Sequence, residues 1–263
     1  MLLSPFLVLA KGAHKISRPT GTELSIEEEE DEHKNKLMFS YENDSYVYNE
    51  TEYASPTIMF STNGWDIGIN SQNILIHEGT LQNSQNVQND TYININKTFQ
   101  YDDVFDAIDC GKFCDKMSDA VEGISTTLGS QTGTVLPMSG SAQPNHINSQ
   151  TLHEFYFIDH DAELLKSRFS LHGGNYFVNP ALSSTTAYIG YILGSELIVI
   201  PKKLKLNADF YSGRSNVSGT VAQATWMVNK NFELFFGAGL ATSGSGNYDY
   251  WISGFNLIKI FEH

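Results

Sequence analysis

Between Ala187 and Leu240, apolar and polar side chains alternate through four successive segments. Leu204, Leu206, Ala208 and Phe210 fall on one side, and Lys205, Asn207 and Asp209 on the other. A period of two is that of a β-strand with one greasy and one wet face. The segment before sets Ala187, Ile189, Tyr191, Leu193, Leu197 and Val199 against Tyr188, Gly190, Gly194 and Glu196. The segment after sets Val217 and Val221 against Asn216, Ser218 and Thr220, then changes phase so that Ala222, Ala224, Trp226 and Val228 are the apolar set. One extra residue near Val221, a β-bulge, predicts that change and leaves Met227 on the polar side. The fourth segment sets Phe232, Leu234, Phe236, Ala238 and Leu240 against Glu233, Gly237 and Gly239.

The same alternation marks strands over 37–48, 54–61, 65–70, 91–99, 124–133, 151–158, 169–177 and 248–261, about twelve in all. Asn63-Gly64 is the strongest hairpin signal, because both residues tolerate positive φ. In 151–158 the pattern puts Phe155 and Phe157 on the apolar face and Glu154 and Tyr156 opposite, with a turn over 159–165. Residues 102–122 break the period: Val104, Phe105, Ile108, Phe113, Met117 and Val121 recur at longer steps behind a cluster of aspartates, which predicts one or two helical turns. The links sort by parity. Those at 63–64, 159–165, 200–203 and 229–231 are short, except 101–123, which carries the helical insertion, whereas 49–52, 71–90, 134–149, 179–185, 212–215 and 241–248 are mostly long or rich in Gly, Ser and Asn. Long strands with one apolar and one charged face, an even count and alternating link lengths predict an all-β fold. It is a closed antiparallel up-and-down transmembrane β-barrel, 37–261, with a short helical insertion near 102–122.

Composition narrows the alternatives. No run beyond the N-terminus nears the roughly 18–20 apolar residues of a membrane helix, which excludes a helical membrane protein but not a barrel. The formal charge of −14 argues against nucleic acid as a partner. Residues 1–13 resemble the apolar core of a secretory signal peptide, and 14–36 form a polar tail ending in the acidic run 27–32. Cys110 and Cys114 are the only cysteines, a possible short-loop disulfide, and imply no metal site. No cofactor is implied.

With its alternating strands, segments such as Asp209-Phe210-Tyr211-Ser212-Gly213 and Leu128-Gly129-Ser130-Gln131-Thr132-Gly133, and a last strand ending near Phe261, the chain resembles the Gram-negative outer-membrane β-barrels of porin-like type. Such barrels usually end on an aromatic residue; here Glu262 and His263 follow it. The resemblance implies an outer-membrane location, membrane lipid and lipopolysaccharide as surroundings, and the barrel-insertion machinery as a partner.

With apolar faces toward lipid, the lumen-lining charged set is Glu42, Asp44, Asp66, Glu154, Arg168, Glu196, Lys205, Asp209 and Glu233, with His172 nearby. Acids dominate, so the expected function is a channel for passive diffusion of small hydrophilic cations or neutral solutes. The competing reading is that Arg168 and Lys205 neutralise acid ladders in a filled lumen. Trp65, Phe99, Phe177, Tyr188, Phe210, Trp226, Tyr250 and Trp251 fall near strand ends, where amphipathic rings sit at the membrane interface. The bland alternative for them is the core of a soluble barrel. A lipid-acting hydrolase is the second class: Glu42-Asn43-Asp44 looks like a tripeptide of lipid A deacylases, and His146 with Asn148 and Ser149, or His153, offers a base and a nucleophile. The family's next motif is only partly matched by Ser61-Thr62-Asn63-Gly64. A structural or adhesive barrel acting through loops 71–90 and 134–149 is the third.

Overall fold

The computed structural model describes residues 35–46, 51–72, 74–77, 88–101, 121–137, 151–164, 168–178, 189–213, 218–242 and 249–261. The strand segments are β1 (Asn35–Tyr46), β2 (Thr51–Thr62), β3 (Trp65–Gln72), β4 (Ile74–His77), β5 (Gln88–Tyr101), β6 (Val121–Pro137) and β7 (Thr151–Leu164). They continue as β8 (Phe169–Val178), β9 (Ile189–Ile200), β10 (Leu204–Tyr211), β11 (Gly219–Asn229), β12 (Phe232–Ala241) and β13 (Tyr250–Phe261). Both β3 and β4 lie along β2, so they are two lengths of one stave and the sheet has twelve staves. β1 pairs with β13 from Asn35↔Phe261 to Tyr46↔Tyr250, and with β2 on its other edge. The antiparallel sheet is therefore closed. Closure leaves no edge of bare N–H and C=O groups, the condition for a sheet to stand where water cannot satisfy them.

The turns 63–64, 201–203 and 230–231 lie at one end of the barrel with Asn35, Tyr101, Val121, Leu164, Arg168 and Phe261. This turn end faces away from the loop end, where the described strands stop at Tyr46, His77, Pro137, Val178, Tyr211 and Ala241. Asn63 and Gly64 have φ of 46° and 71°, the left-handed pair of a two-residue hairpin that matches strand twist. Gly64→Val is expected to cost about 1–2 kcal/mol in urea unfolding from vesicles, because a branched residue strains at that φ.

Three expectations are corrected. First, β7 runs to Leu164, so 159–165 is mostly strand. The acids read there as a turn are its alternating inner residues. Second, the phase of β7 is reversed: Tyr156 is exposed, while Phe157 packs on the buried cluster of Tyr176, Val178, Ile192 and Tyr211. Third, no bulge lies near Val221, whose register against β10 is unbroken. The register instead slips past Val228 against β12 and past Val199 against β10. Val221 is apolar because it packs inward on Phe235, Tyr250 and Ile252, and Met227 shares that inner face with no change of phase. Residues 102–120, Cys110 and Cys114 among them, lie outside the described residues, as do 1–34; Val121 and Glu122 already belong to β6.

Candidate functional site

Phe235 and Phe236 show how the two faces differ: neighbours in sequence, they are 5% and 58% exposed. All round the barrel, isoleucine, leucine and tryptophan stand on the outside, as with Ile58, Ile69, Ile93, Leu128, Leu193 and Leu240. The inner face buries Ser40, Asp44, Asp66, Asn70, Asn96, Thr127 and Gln131 in their place. A soluble monomer rarely exposes a contiguous apolar patch beyond a few hundred Å². An apolar belt on every stave, over a polar interior and a closed hydrogen-bond ladder, fits only hydrocarbon. The chain is a transmembrane β-barrel.

Its interior is layered. At the turn end Met38, Met59 and Ile258 form an apolar cluster with Ile260. Toward the loop end lie the Tyr176 cluster and the cluster of Phe235, Tyr250 and Ile252 with Tyr53 and Val221. Between them runs a polar middle. One hydrogen-bonded part of it crosses four staves. His172 on β8 sits with Nδ1 2.8 Å from Asp159 Oδ2 on β7 and Nε2 2.8 Å from Asp209 Oδ1 on β10, all three buried. A neutral imidazole donates from one nitrogen only, so the two contacts together require a proton beyond those of a neutral ring and two carboxylates. Gly194 on β9 lies directly between His172 and Asp209 in the register, and a Cβ there would stand inside both side chains. The missing side chain is what lets the triad bridge β9.

The same device recurs with aromatic rings. Tyr92 lies over Gly133, Phe157 over Gly129, Tyr176 over Gly190, Tyr250 over Gly239 and Phe235 over Gly254, in each case the residue directly opposite on the next stave. Each ring lies along the wall, over the backbone its neighbour leaves bare. At the loop end Tyr176 Oη donates to the Ser212 carbonyl, which also accepts from Ser218 Oγ at 2.9 Å.

The acids that alternation turns inward, among residues whose side chains are described, are Glu42, Asp44, Asp66, Asp159 and Asp161, then Glu163, Glu196, Asp209 and Glu233. Against these nine acids stand Lys36 and Lys205, with His172 already held. Asn256 Nδ2 donates to Glu233 Oε2 at 3.0 Å. The buried side-chain oxygens of Asn70, Asn96 and Asp159 (Oδ1 in each) and Asn256 Oδ1 have no protein donor, so the wall offers acceptors in excess. Asp159, Asp161 and Glu163 were hidden from sequence reading by the turn assigned to them.

Two proposed positions are displaced. Arg168 stands exposed in the turn before β8, not on the wall. Tyr250 is buried inside the barrel rather than at the membrane interface, because its neighbour Trp251 takes the outer position and adjacent residues cannot share a face. Glu154 lies in β7 opposite Thr132, its side chain outside the described set, and Tyr188 is likewise outside it. Trp65, Phe99 and Trp226 are exposed at the turn end. Toward the loop end, Trp251 stacks on Phe236 at 5.8 Å, Phe210 lies 5.9 Å from Tyr191, and Phe177 lies 6.3 Å from Tyr156. Of the hydrolase candidates, His146, Asn148 and Ser149 fall outside the described residues and His153 is placed only by its backbone. An unanticipated pair, Thr126 Oγ1 and His160 Nδ1 at 2.9 Å, lies on the outer face.

Neither a family model nor a curated protein matches the sequence. Solved structures similar in fold include the KdgM porin in complex with disordered oligogalacturonate, 10% identical, covering 87% of this chain and 99% of that one at a TM-score of 0.46. The COG4313 outer membrane channel from Pseudomonas putida F1 is 9% identical over 87% of this chain and 96% of its own, with a TM-score of 0.48. Outer membrane phospholipase A from Escherichia coli is 10% identical over 88% and 96%, with a TM-score of 0.41. Channels and a lipase stand side by side at that distance, so what this chain does has to be argued from its own wall.

Proposed function

We propose that the chain is an outer-membrane channel of narrow bore that passes small cations and neutral hydrophilic solutes by diffusion. The observation that carries this is the charge of the inner face, nine carboxylates against two lysines and one carboxylate-bound histidine among the described residues. In a low-dielectric tube a fixed negative wall lowers the barrier for cations and raises it for anions. The unpartnered acceptor oxygens act in the same sense, taking the place of hydration water around a cation or around hydroxyl donors. A narrow bore follows from how deeply the inner side chains are buried, Tyr92 and Glu233 each at 1%. Apolar layers toward both ends favour small solutes over chains.

The test is the reversal potential in planar bilayers under a tenfold KCl gradient. Its sign is expected to report cation preference. Glu42→Gln with Asp161→Asn, both partly exposed on the inner face, is expected to reduce the permeability ratio about two- to threefold without loss of folded barrel. Anion preference, or no conductance from a folded barrel, removes the proposal.

The second reading is a lipid-acting hydrolase, favoured by the Thr126–His160 pair, a hydroxyl and a possible base at hydrogen-bonding distance on the lipid side. Among the side chains described no carboxylate is placed to orient His160: Asp159 and Asp161 turn to the other face of β7. Fatty-acid release from mixed micelles that His160→Ala abolishes would move the assignment to this class.

A further inference from the structure

All eight basic residues of the described set lie near the turn end. Lys36 and Lys205 face inward, and the other six, Lys97, Arg168, Lys202, Lys203, Lys230 and Lys259, lie on the outer rim or in its turns. Among the outer-rim residues whose side chains are described there is no carboxylate; Glu122 of β6 lies at the same end with only its backbone described, and the outward acids Glu52 and Asp249 lie at the loop end. Just inside the rim stand Trp65, Phe99 and Trp226, exposed, with Phe232 and Phe261 partly so. Two of the cations are fixed against these rings. Lys97 Nζ is 5.3 Å from the Trp65 centroid and 5.7 Å from that of Phe99, and also donates to the Asn63 carbonyl. Lys259 Nζ is 5.1 Å over Phe261.

From this arrangement we propose that the turn-end rim is a binding collar for anionic phospholipid headgroups. The proposal rests on the membrane-spanning reading and is independent of what passes through the lumen. Indole rings sit where acyl chains give way to headgroups. Lysines whose stems run along apolar surface carry their ammonium groups outward to the phosphate level. Six cations round one circumference, with no carboxylate among the rim side chains that are described, form a positive ring at the depth of lipid phosphates. A zwitterionic headgroup returns a positive charge to that ring, whereas phosphatidylglycerol does not, so the ring selects the anionic lipid. A soluble partner would have to compete for the same circumference with headgroups already in contact with the aromatic belt. The loop end has the opposite character in its described residues, so the collar also distinguishes the two leaflets.

The chain has three tryptophans, and two of them, Trp65 and Trp226, are at the collar. In a Trp251→Phe background, fluorescence therefore reports the turn end alone. The folded protein is reconstituted in dioleoylphosphatidylcholine vesicles in which a fixed fraction of lipid is dibrominated phosphatidylglycerol or, separately, dibrominated phosphatidylcholine. The expected result is a local excess of the glycerol lipid of about two- to fourfold at low ionic strength, falling toward parity at about 0.5 M salt. The excess is also expected to vanish when the six cations are changed to glutamine. The salt series on the unaltered collar keeps the test valid if that variant does not fold. Equal quenching by both lipids at low salt overturns the collar and leaves the bilayer reading standing. No quenching by either, in a protein shown folded by its gel mobility, overturns the bilayer reading and the collar with it. Relief of phosphatidylglycerol quenching by added lipopolysaccharide overturns the assignment to phospholipid and gives the rim to lipid A phosphates.

Discussion

His172→Leu is expected to cost the barrel about 3–5 kcal/mol, read as a fall in urea midpoint in vesicles at constant slope. The loss exceeds that of one hydrogen bond because of what remains. Asp159 and Asp209 are buried on either side of the ring, each 2.8 Å from one of its nitrogens. Leucine removes both donors and leaves two carboxylates facing each other across β8 and β9, where Gly194 supplies no side chain. Leaving a buried charge without its partner costs more than the intact group contributes. A triple variant, Asp159→Asn, His172→Gln and Asp209→Asn, is expected to recover more than half of the loss, because amides can pair without charge. A single-variant cost below about 1 kcal/mol would show that the triad does not tie these staves together.

Gly239→Val is expected to destabilise by about 1–3 kcal/mol through overpacking. A Cβ on Gly239 would stand inside the Tyr250 ring, which lies flat over it from the opposite position of β13. The ring has Phe235 and Ile252 as cluster neighbours, so it cannot move without disturbing them. The diagnostic is a double-mutant cycle. Tyr250→Ala alone loses a buried ring, yet in its presence Gly239→Val is expected to cost much less, a coupling of about 1 kcal/mol or more. Additive losses would mean that the ring and the glycine are merely neighbours in register.

Both effects concern the inner wall, which was the part least visible in sequence. Alternation reads well where one face is apolar and the other polar, as in Leu204 to Phe210, and the same holds around Ile67, Ile69, Ile93 and Ile95. It fails where both faces are apolar. Ile192 and Leu193, Phe235 and Phe236, and Trp251 and Ile252 are pairs of hydrophobic residues that face opposite ways, and no periodicity separates their members. The same ambiguity produced the false bulge at Val221, the reversed phase of β7 and the misplaced Tyr250. Interior apolar layers at both ends of the lumen thus look, in sequence, like irregular outer faces.

The sequence by itself determined the strands, their even number, the hairpin at Asn63-Gly64, the sorting of most short and long links, and the acidic balance of the wet face. These follow from local properties: a two-residue period, turn chemistry and composition. Only the tertiary structure decided closure of β1 on β13, the meeting of Asp159, His172 and Asp209 from three staves, the laying of rings over opposite glycines, and the gathering of lysines from separate turns onto one rim. Each of those depends on which residues stand opposite one another. Register is a relation between strands far apart in the chain, and it is fixed by packing on both faces at once.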